Sequence, residues 1–259
     1  MHVRVLGCSG SIAQGCRTSS FLVDDDLLID AGTGVGDLTL DEMARIDHIL
    51  LSHSHLDHVL GVPLLADSVM RRRGGRGPIQ VHALPPTLEV LSAHVFNDLL
   101  WPDFTRLPRA SDPVLALRPI ALGEHLVLGR AGRTVRVLPA RHSVPACGFA
   151  VQAGSGRDWV YTGDTGPNPA LWAALAGREV AQLVIEVAFG ESDQLLASQS
   201  GHHCPSSLAG ELAQAPAGAE LLLTHLKPGE HATIEAELAS QLPGRRWRRL
   251  QAGERLLVD

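Results

Sequence analysis

The stretch LLSHSHLDHVLG, Leu50 to Gly61, places His53, His55, Asp57 and His58 within six residues at the end of an apolar run. An apolar run that stops at such a cluster is a strand giving way to a loop. The following LDHVLGVPLLADSVMRR carries apolar residues on one helical face, with Gly61 and Pro63 disturbing its first turns. The cluster is therefore expected at a strand-to-helix junction. There, two histidines at i and i+2 turn their rings toward one point, and an Asp and a His two and three residues later reach a second point close by. One turn can thus serve two metal ions. Imidazole with carboxylate, and no thiolate, suits zinc, manganese or iron better than copper(I) or an iron–sulfur cluster. A single histidine here would read as a helix cap; three with an aspartate do not.

Two metal ions need more ligands than one turn supplies. His142 in LPARHSV, Asp164 in VYTGDTG and His225 in LLLTHLKPG each follow an apolar run. Alone, each is an ordinary turn residue at a strand end; together with the cluster they become candidate ligands. Cys8, Cys16, Cys147 and Cys204 show no C-x-x-C spacing, which suggests neither a disulfide framework nor a thiolate zinc site and fits a reducing cytoplasm. VLGCSG at Val5–Gly10 looks superficially like a lipoprotein box. A secretory signal needs ~7–15 apolar residues ahead of the cleavage site, and Cys8 has too little chain before it. No apolar stretch approaches the ~20 residues of a membrane span.

With 259 residues, 45% of them hydrophobic, the chain can bury a sizeable core. Short β-like runs dominate its first third: HVRVLG, SSFLVD, DLLIDAG and DHILLS, divided by Gly, Asp and Ser turn signals. PIQVHAL reads as a strand and TLEVLSAHVFNDLLW as a helix. WPDFTRLPRASDPVLALRP is a Pro-punctuated connection, so an insertion or lid is expected around 94–118. The second half repeats the grammar with GRTVRVLPARHS, CGFAVQAG, DWVYTGDTG, QLVIEVAFG, AELLLTHLKPG and RLLVD as strands, and PSSLAGELAQA and ATIEAELASQL as helices. No linker separates the halves. One α/β domain over 1–259, with one sheet from each half, is the expectation.

The ordered set Asp30 in DAG, His53 to His58 as H-x-H-x-D-H, His142, Asp164 in TGDTG and His225 in LTH resembles the metallo-β-lactamase fold superfamily across nearly the whole chain. The resemblance implies a four-layer αββα sandwich, two mixed sheets flanked by helices, with a two-metal site along the sheet edge. His53, His55 and His142 would then hold one divalent ion, zinc foremost with manganese or iron as alternatives. Asp57, His58 and His225 would hold the other. Asp164 would bridge them, and Asp30 would orient the ligands from behind.

Finer segments, HSHLDHVLGVPLL, HVFNDLLWPDFTRLP, IEVAFG and SGHHCPSSLAGEL, resemble class II cyclic-nucleotide phosphodiesterases. VPLLADS, with Pro63 and Asp67, departs from that class's usual continuation. The implied reaction is hydrolysis of 3′,5′-cyclic nucleotides such as cyclic AMP or cyclic GMP by a metal-bridging hydroxide. Two ions roughly 3.5–4 Å apart can lower the pKa of a trapped water toward neutrality and aim it at phosphorus, a role to which the family assigns Asp57 as a catalytic partner. The departing ribose oxygen benefits from a proton donor worth ~10²–10⁴ in rate. GHHCP resembles the family's Gly-His-x-x-Pro, which selects His202 for this role; Glu186 is placed to orient that histidine or a metal ligand, raising its basicity and fixing its tautomer, or else is a strand-end residue in solvent, and His203 is a solvated or packing neighbour. Trp101, Phe104 and Phe96 are candidates for stacking on the base. Thr165, with Thr162, is a candidate contact to phosphate oxygens or else a turn builder.

The runs RRRGGRG (71–77) and GRRWRRL (244–250) keep a second substrate class in view, an RNA-processing endonuclease resembling tRNA 3′-end nucleases. Against it stands the balance of 22 Lys+Arg to 28 Asp+Glu, a net charge of -6. A thioester or lactone hydrolase is a third reading, which has no need of the GHHCP segment. The expected partners are a small cyclic nucleotide and a second copy of the chain in a homodimer, with no membrane and no nucleic acid.

Overall fold

A computed structural model describes residues 1–259. Two seven-stranded sheets carry the chain. The first runs in the order Arg255–Leu257, His2–Gly7, Ser20–Val23, Leu27–Ile29, His48–Leu50, Ile79–Ala83, Leu115–Pro119. Its first three pairings are antiparallel and its last three parallel. The second sheet repeats the pattern in the order His125–Leu128, Arg133–Pro139, Cys147–Gln152, Asp158–Tyr161, Val180–Glu186, Glu220–Thr224, Trp247–Arg249. It too has three antiparallel pairings followed by three parallel ones. The connections account for this division. A tight turn at Asp24–Asp26 returns the chain antiparallel, whereas parallel neighbours need a longer crossover, such as the one through the helix Leu40–Arg45. Thr39 and Glu42 cap that helix reciprocally.

Three apolar clusters define the layers. Val5, Phe21 and Ile29 of the first sheet meet Val137, Phe149 and Trp159 of the second between the sheets. Leu28, Ile49 and Val81 pack outward against Val62, Leu65 and Leu88 of the helices Gly61–Val69 and Pro85–Val90. On the other side Leu183, Ile185 and Leu223 pack against Trp172, Leu208 and Ile234, from the helices Pro169–Leu175, Pro205–Glu211 and His231–Gln241. Helix, sheet, sheet, helix is the expected αββα sandwich. All seven residues of Val180–Glu186 are buried, as a parallel strand covered on both faces requires. No helix is long and apolar enough to cross a membrane.

Three expectations are corrected. The helix expected over 87–101 is α-helical only at Pro85–Val90 and continues as one π turn, Leu91–Val95. It ends because the Asn97 side chain accepts from the Leu99 and Leu100 amides and Asp98 takes a left-handed φ of 60°. The connection 101–119 closes with a strand, Leu115–Pro119, at the sheet edge. The segment 94–118, expected as an insertion or lid, does not lie over the site of its own chain. From Phe104 onward it is anchored where strands begin, with Leu115 N donating to Phe104 O at 3.1 Å and Ile79 N to Val114 O at 2.8 Å. Asp30 and His53 follow the opposite ends of their strands.

Candidate metal centre

In both sheets the parallel strands deliver polar residues from their C-terminal ends, where crevices of α/β sheets form. Asp30 follows Leu27–Ile29, His53 follows His48–Leu50, Asp164 follows Asp158–Tyr161 and His225 follows Glu220–Thr224. His142 follows Arg133–Pro139, which runs in the same sense as Asp158–Tyr161. Ligand-capable atoms of His53, His55 and His142 lie within 4.8 Å of one another, as do those of Asp57, His58, Asp164 and His225. Asp164 stands between the groups: its Oδ2 is 3.3 Å from His58 Nε2, 3.2 Å from His225 Nε2, 3.8 Å from His53 Nε2 and 4.0 Å from His142 Nε2.

The far nitrogen of each of four rings meets an oxygen. His58 Nδ1 lies 2.7 Å from Asp30 Oδ2, His142 Nδ1 3.0 Å from Gly201 O and His225 Nδ1 3.4 Å from Ser19 Oγ. Ser52 Oγ donates to Asp30 Oδ2 at 2.8 Å and so accepts from His53 Nδ1 at 3.0 Å. Such contacts place the proton on Nδ1 and aim the Nε2 lone pair inward. Asp30 is the hub, since it also accepts from Ser52 N at 2.7 Å and from Tyr161 Oη at 2.8 Å. Ser52, Ser19, Tyr161 and the Gly201 carbonyl were not singled out in the sequence; only Tyr161 carries a signal, as a hydroxyl in an apolar strand that must find a partner. Tyr161→Phe is expected to cost ~1–3 kcal/mol of stability by removing one donor from a buried carboxylate. Urea denaturation of the two proteins measures it.

His225 and Asp30 hold left-handed φ values of 66° and 52°, strain of a kind that collects at functional sites. Gly201, at φ 72°, ends the helix Gln194–Ser200, and a Cβ there would strike the His142 backbone. The carbonyl that orients His142 therefore depends on a glycine.

Burial lowers the pKa of His53, His55, His142 and His225 against the opposing pull of Asp164, so these rings are neutral with lone pairs to give. Burial also works to lower His58, but Asp164 and Asp30 hold it well above the usual imidazole range. Asp164 is held well below the usual carboxylate range against the upward push of burial by its contacts with His225 and His58. His53 Nε2, His58 Nε2 and Asp164 Oδ1 are buried with no hydrogen-bond partner. Buried polar atoms are rarely left so, and a convergent set of imidazole and carboxylate donors fits divalent cations.

His202 stands against this cluster, its ring centroid 4.8 Å from that of His142 and 5.3 Å from that of His225. Its Nδ1 lies 2.7 Å from Glu186 Oε1. Burial alone would lower its pKa, but the Glu186 carboxylate outweighs that and raises it. Glu186 is fully buried and also accepts from Thr165 N at 3.0 Å and His203 N at 3.3 Å. The expected pairing of the two residues is therefore present. His203 is a buried packing residue whose Nδ1 meets Ser207 Oγ at 3.0 Å.

The candidate substrate contacts fare differently. Phe104 and Phe96, 2% and 4% exposed, belong to the core beneath the first sheet and offer no face to a base, while the partly buried Trp101 packs against that core. Thr165 is 1% exposed, and its hydroxyl accepts from Arg141 N and donates to Gly166 O. It builds the turn that presents Asp164. The first basic run lies away from the cluster. Arg73 and Arg76 pair with Asp47, which precedes the strand His48–Leu50 at the end away from His53. The second run enters Trp247–Arg249 from the end away from His225 and leaves it at the near end, where Arg249 lies opposite Leu223, and Arg248 and Arg249 pair with Glu220, Glu254 and Glu235.

The family model described as beta-lactamase superfamily domain matches residues 26–226. Ribonuclease Z of Bradyrhizobium sp. (strain ORS 278) is 29% identical, over 89% of this chain and 92% of that protein. A probable 3′,5′-cyclic-nucleotide phosphodiesterase of Yersinia pestis is 24% identical, over 88% of this chain and 78% of that one. Among solved structures, unliganded yeast PDE1 superposes with a TM-score of 0.83 at 19% identity, over 99% of both chains.

Proposed function

The chain belongs to the beta-lactamase superfamily, a fold that implies a divalent-metal hydrolase, and from that premise we propose that it hydrolyses 3′,5′-cyclic nucleotides to 5′-nucleotides. His53, His55 and His142 would hold one ion, Asp57, His58 and His225 a second, with Asp164 shared and zinc the metal that the donor set suits best. When bound, such ions supply Lewis acidity toward phosphoryl oxygens and lower the pKa of an attacking water.

The observation that carries the reading is the His202–Glu186 pair beside both ligand groups. Glu186 holds the Nδ1 proton and keeps the ring protonated above its ordinary range, so Nε2 carries a second proton to give to the ribose oxygen as the P–O bond breaks. The acid must be protonated, so kcat is expected to fall as pH rises through the raised pKa of His202. In Glu186→Gln that fall should move to lower pH, because the charge holding the pKa up is gone. pH–rate profiles of the two proteins show the displacement or its absence.

Relatives named ribonuclease Z support a second reading, RNA processing. The net charge of -6 and the pairing of Arg72, Arg73, Arg76, Arg248 and Arg249 with carboxylates of this chain favour the small substrate. Cyclic AMP and a precursor tRNA given to the metal-loaded protein decide between them. Formation of 5′-AMP with intact tRNA is expected; tRNA cleavage with cyclic AMP untouched overturns the reading.

A homodimer is part of the proposal. Leu99 and Leu100, 93% and 65% exposed, are displayed on the turn that Asn97 fixes. Exposed leucines on a rigid turn suit an isologous contact. Light scattering should give twice the chain mass, and a monomer mass at every concentration rejects it.

A further inference from the structure

Beside His202, on the flank formed by the helix Gln194–Ser200 and the start of Pro205–Glu211, lies a cavity of about 360 Å³. Pro167, Gln194, Leu195, Ser198 and His202 line it. Its volume falls in the range of small-molecule sites. A groove of about 1080 Å³ between residues 216–221 and 243–248 is larger, but it holds none of the candidate ligands or the candidate acid. We propose that the cavity beside His202 receives the base of the nucleotide and that Gln194 selects a purine with an amino group rather than a carbonyl at position 6, adenine over guanine. This rests on the phosphodiesterase reading and extends it to substrate choice.

The position follows from the proton transfer. A donor to the ribose oxygen must stand within about 2.6–3.2 Å of it. The ribose therefore lies against His202, and the base joined to it extends into space that His202 also borders.

The selectivity follows from a chain of hydrogen bonds. The Glu191 carboxylate can only accept, so Ser206 Oγ, 2.9 Å from Glu191 Oε2, must donate to it. The Ser206 amide donates to the same carboxylate. With its proton committed, Ser206 Oγ accepts from Gln194 Nε2 at 3.2 Å. This fixes the amide's orientation and leaves Gln194 Oε1 as a free acceptor among the lining groups. An acceptor there pairs with the N6 amino group of adenine and opposes the O6 carbonyl of guanine.

The test measures kcat/KM of the metal-loaded protein for cyclic AMP, cyclic GMP and bis(p-nitrophenyl) phosphate, which has no base. Wild type should prefer cyclic AMP to cyclic GMP by about tenfold or more, the scale of one hydrogen bond gained against one carbonyl opposed. Gln194→Ala should bring the two nucleotides to within about threefold of each other. Leu195→Arg, which fills the cavity from an exposed position, should lower the ratio of cyclic AMP to aryl diester activity by about tenfold. Leu257→Arg, also exposed but on the edge strand Arg255–Leu257, is the control and should change no ratio. Equal rates on both nucleotides in wild type, or ratios unmoved in both cavity variants, would overturn the assignment. No turnover of either nucleotide by wild type would instead overturn the phosphodiesterase reading, and the base site with it.

Discussion

His202→Ala is expected to lose ~10²–10⁴ of turnover on cyclic AMP while keeping its full metal content. The ribose oxygen is a poor leaving group and needs a proton as the P–O bond breaks. Its donor must be protonated at neutral pH and aimed, and the 2.7 Å contact with the buried Glu186 carboxylate provides both. A diester with a p-nitrophenolate leaving group departs without that help. Its rate should fall far less, and the difference between the substrates is the signature of a general acid. The ring also comes within ligand distance of His142 and Asp164, but His53, His55 and His142 make one group and Asp57, His58, Asp164 and His225 another without it, so metal content is the readout that separates an acid from a ligand. Equal losses on both substrates with metal intact would leave His202 a positioning residue.

Asp164→Ala is expected to act on the metals themselves. Asp164 is the carboxylate that lies within 4.0 Å of imidazole Nε2 atoms from both sets, so its loss weakens two centres at once. Removing a residue that only supports a ligand typically costs 10–100-fold in metal affinity or activity. A shared ligand should exceed that, with activity down by more than ~10² on cyclic AMP and aryl diester alike. His55→Ala, at the half-buried side of one group, should injure both substrates in the same parallel way. Retention of both ions and of activity by Asp164→Ala would show that the carboxylate bridges nothing.

Much of this site was legible in the chain because its chemistry sits where apolar runs stop. His53, His142, Asp164 and His225 each follow a strand, and the strands end together because both sheets place their parallel pairings side by side. A periodic pattern shows where a strand ends; it does not show what packs behind the ligand. The contact of Tyr161 with Asp30 joins residues 131 positions apart, and the support of His142 is a backbone carbonyl, which carries no side-chain signal. The aromatic residues misled for a related reason. Phe96, Phe104 and Trp101 lie in a segment punctuated like a surface loop, yet they close the core under the first sheet. Large apolar rings go where the most area can be removed from water, and function has to be argued from what remains exposed. The edge strands His125–Leu128 and Leu115–Pro119 escaped notice because each is short and only partly buried.

Metal analysis of protein purified without chelator, paired with cyclic AMP turnover on the same preparation, tests the central claim most directly. Two divalent ions per chain are expected, with turnover lost on chelation and restored by adding zinc. One tightly bound ion per chain with full turnover would contradict a site built on two ligand groups sharing Asp164.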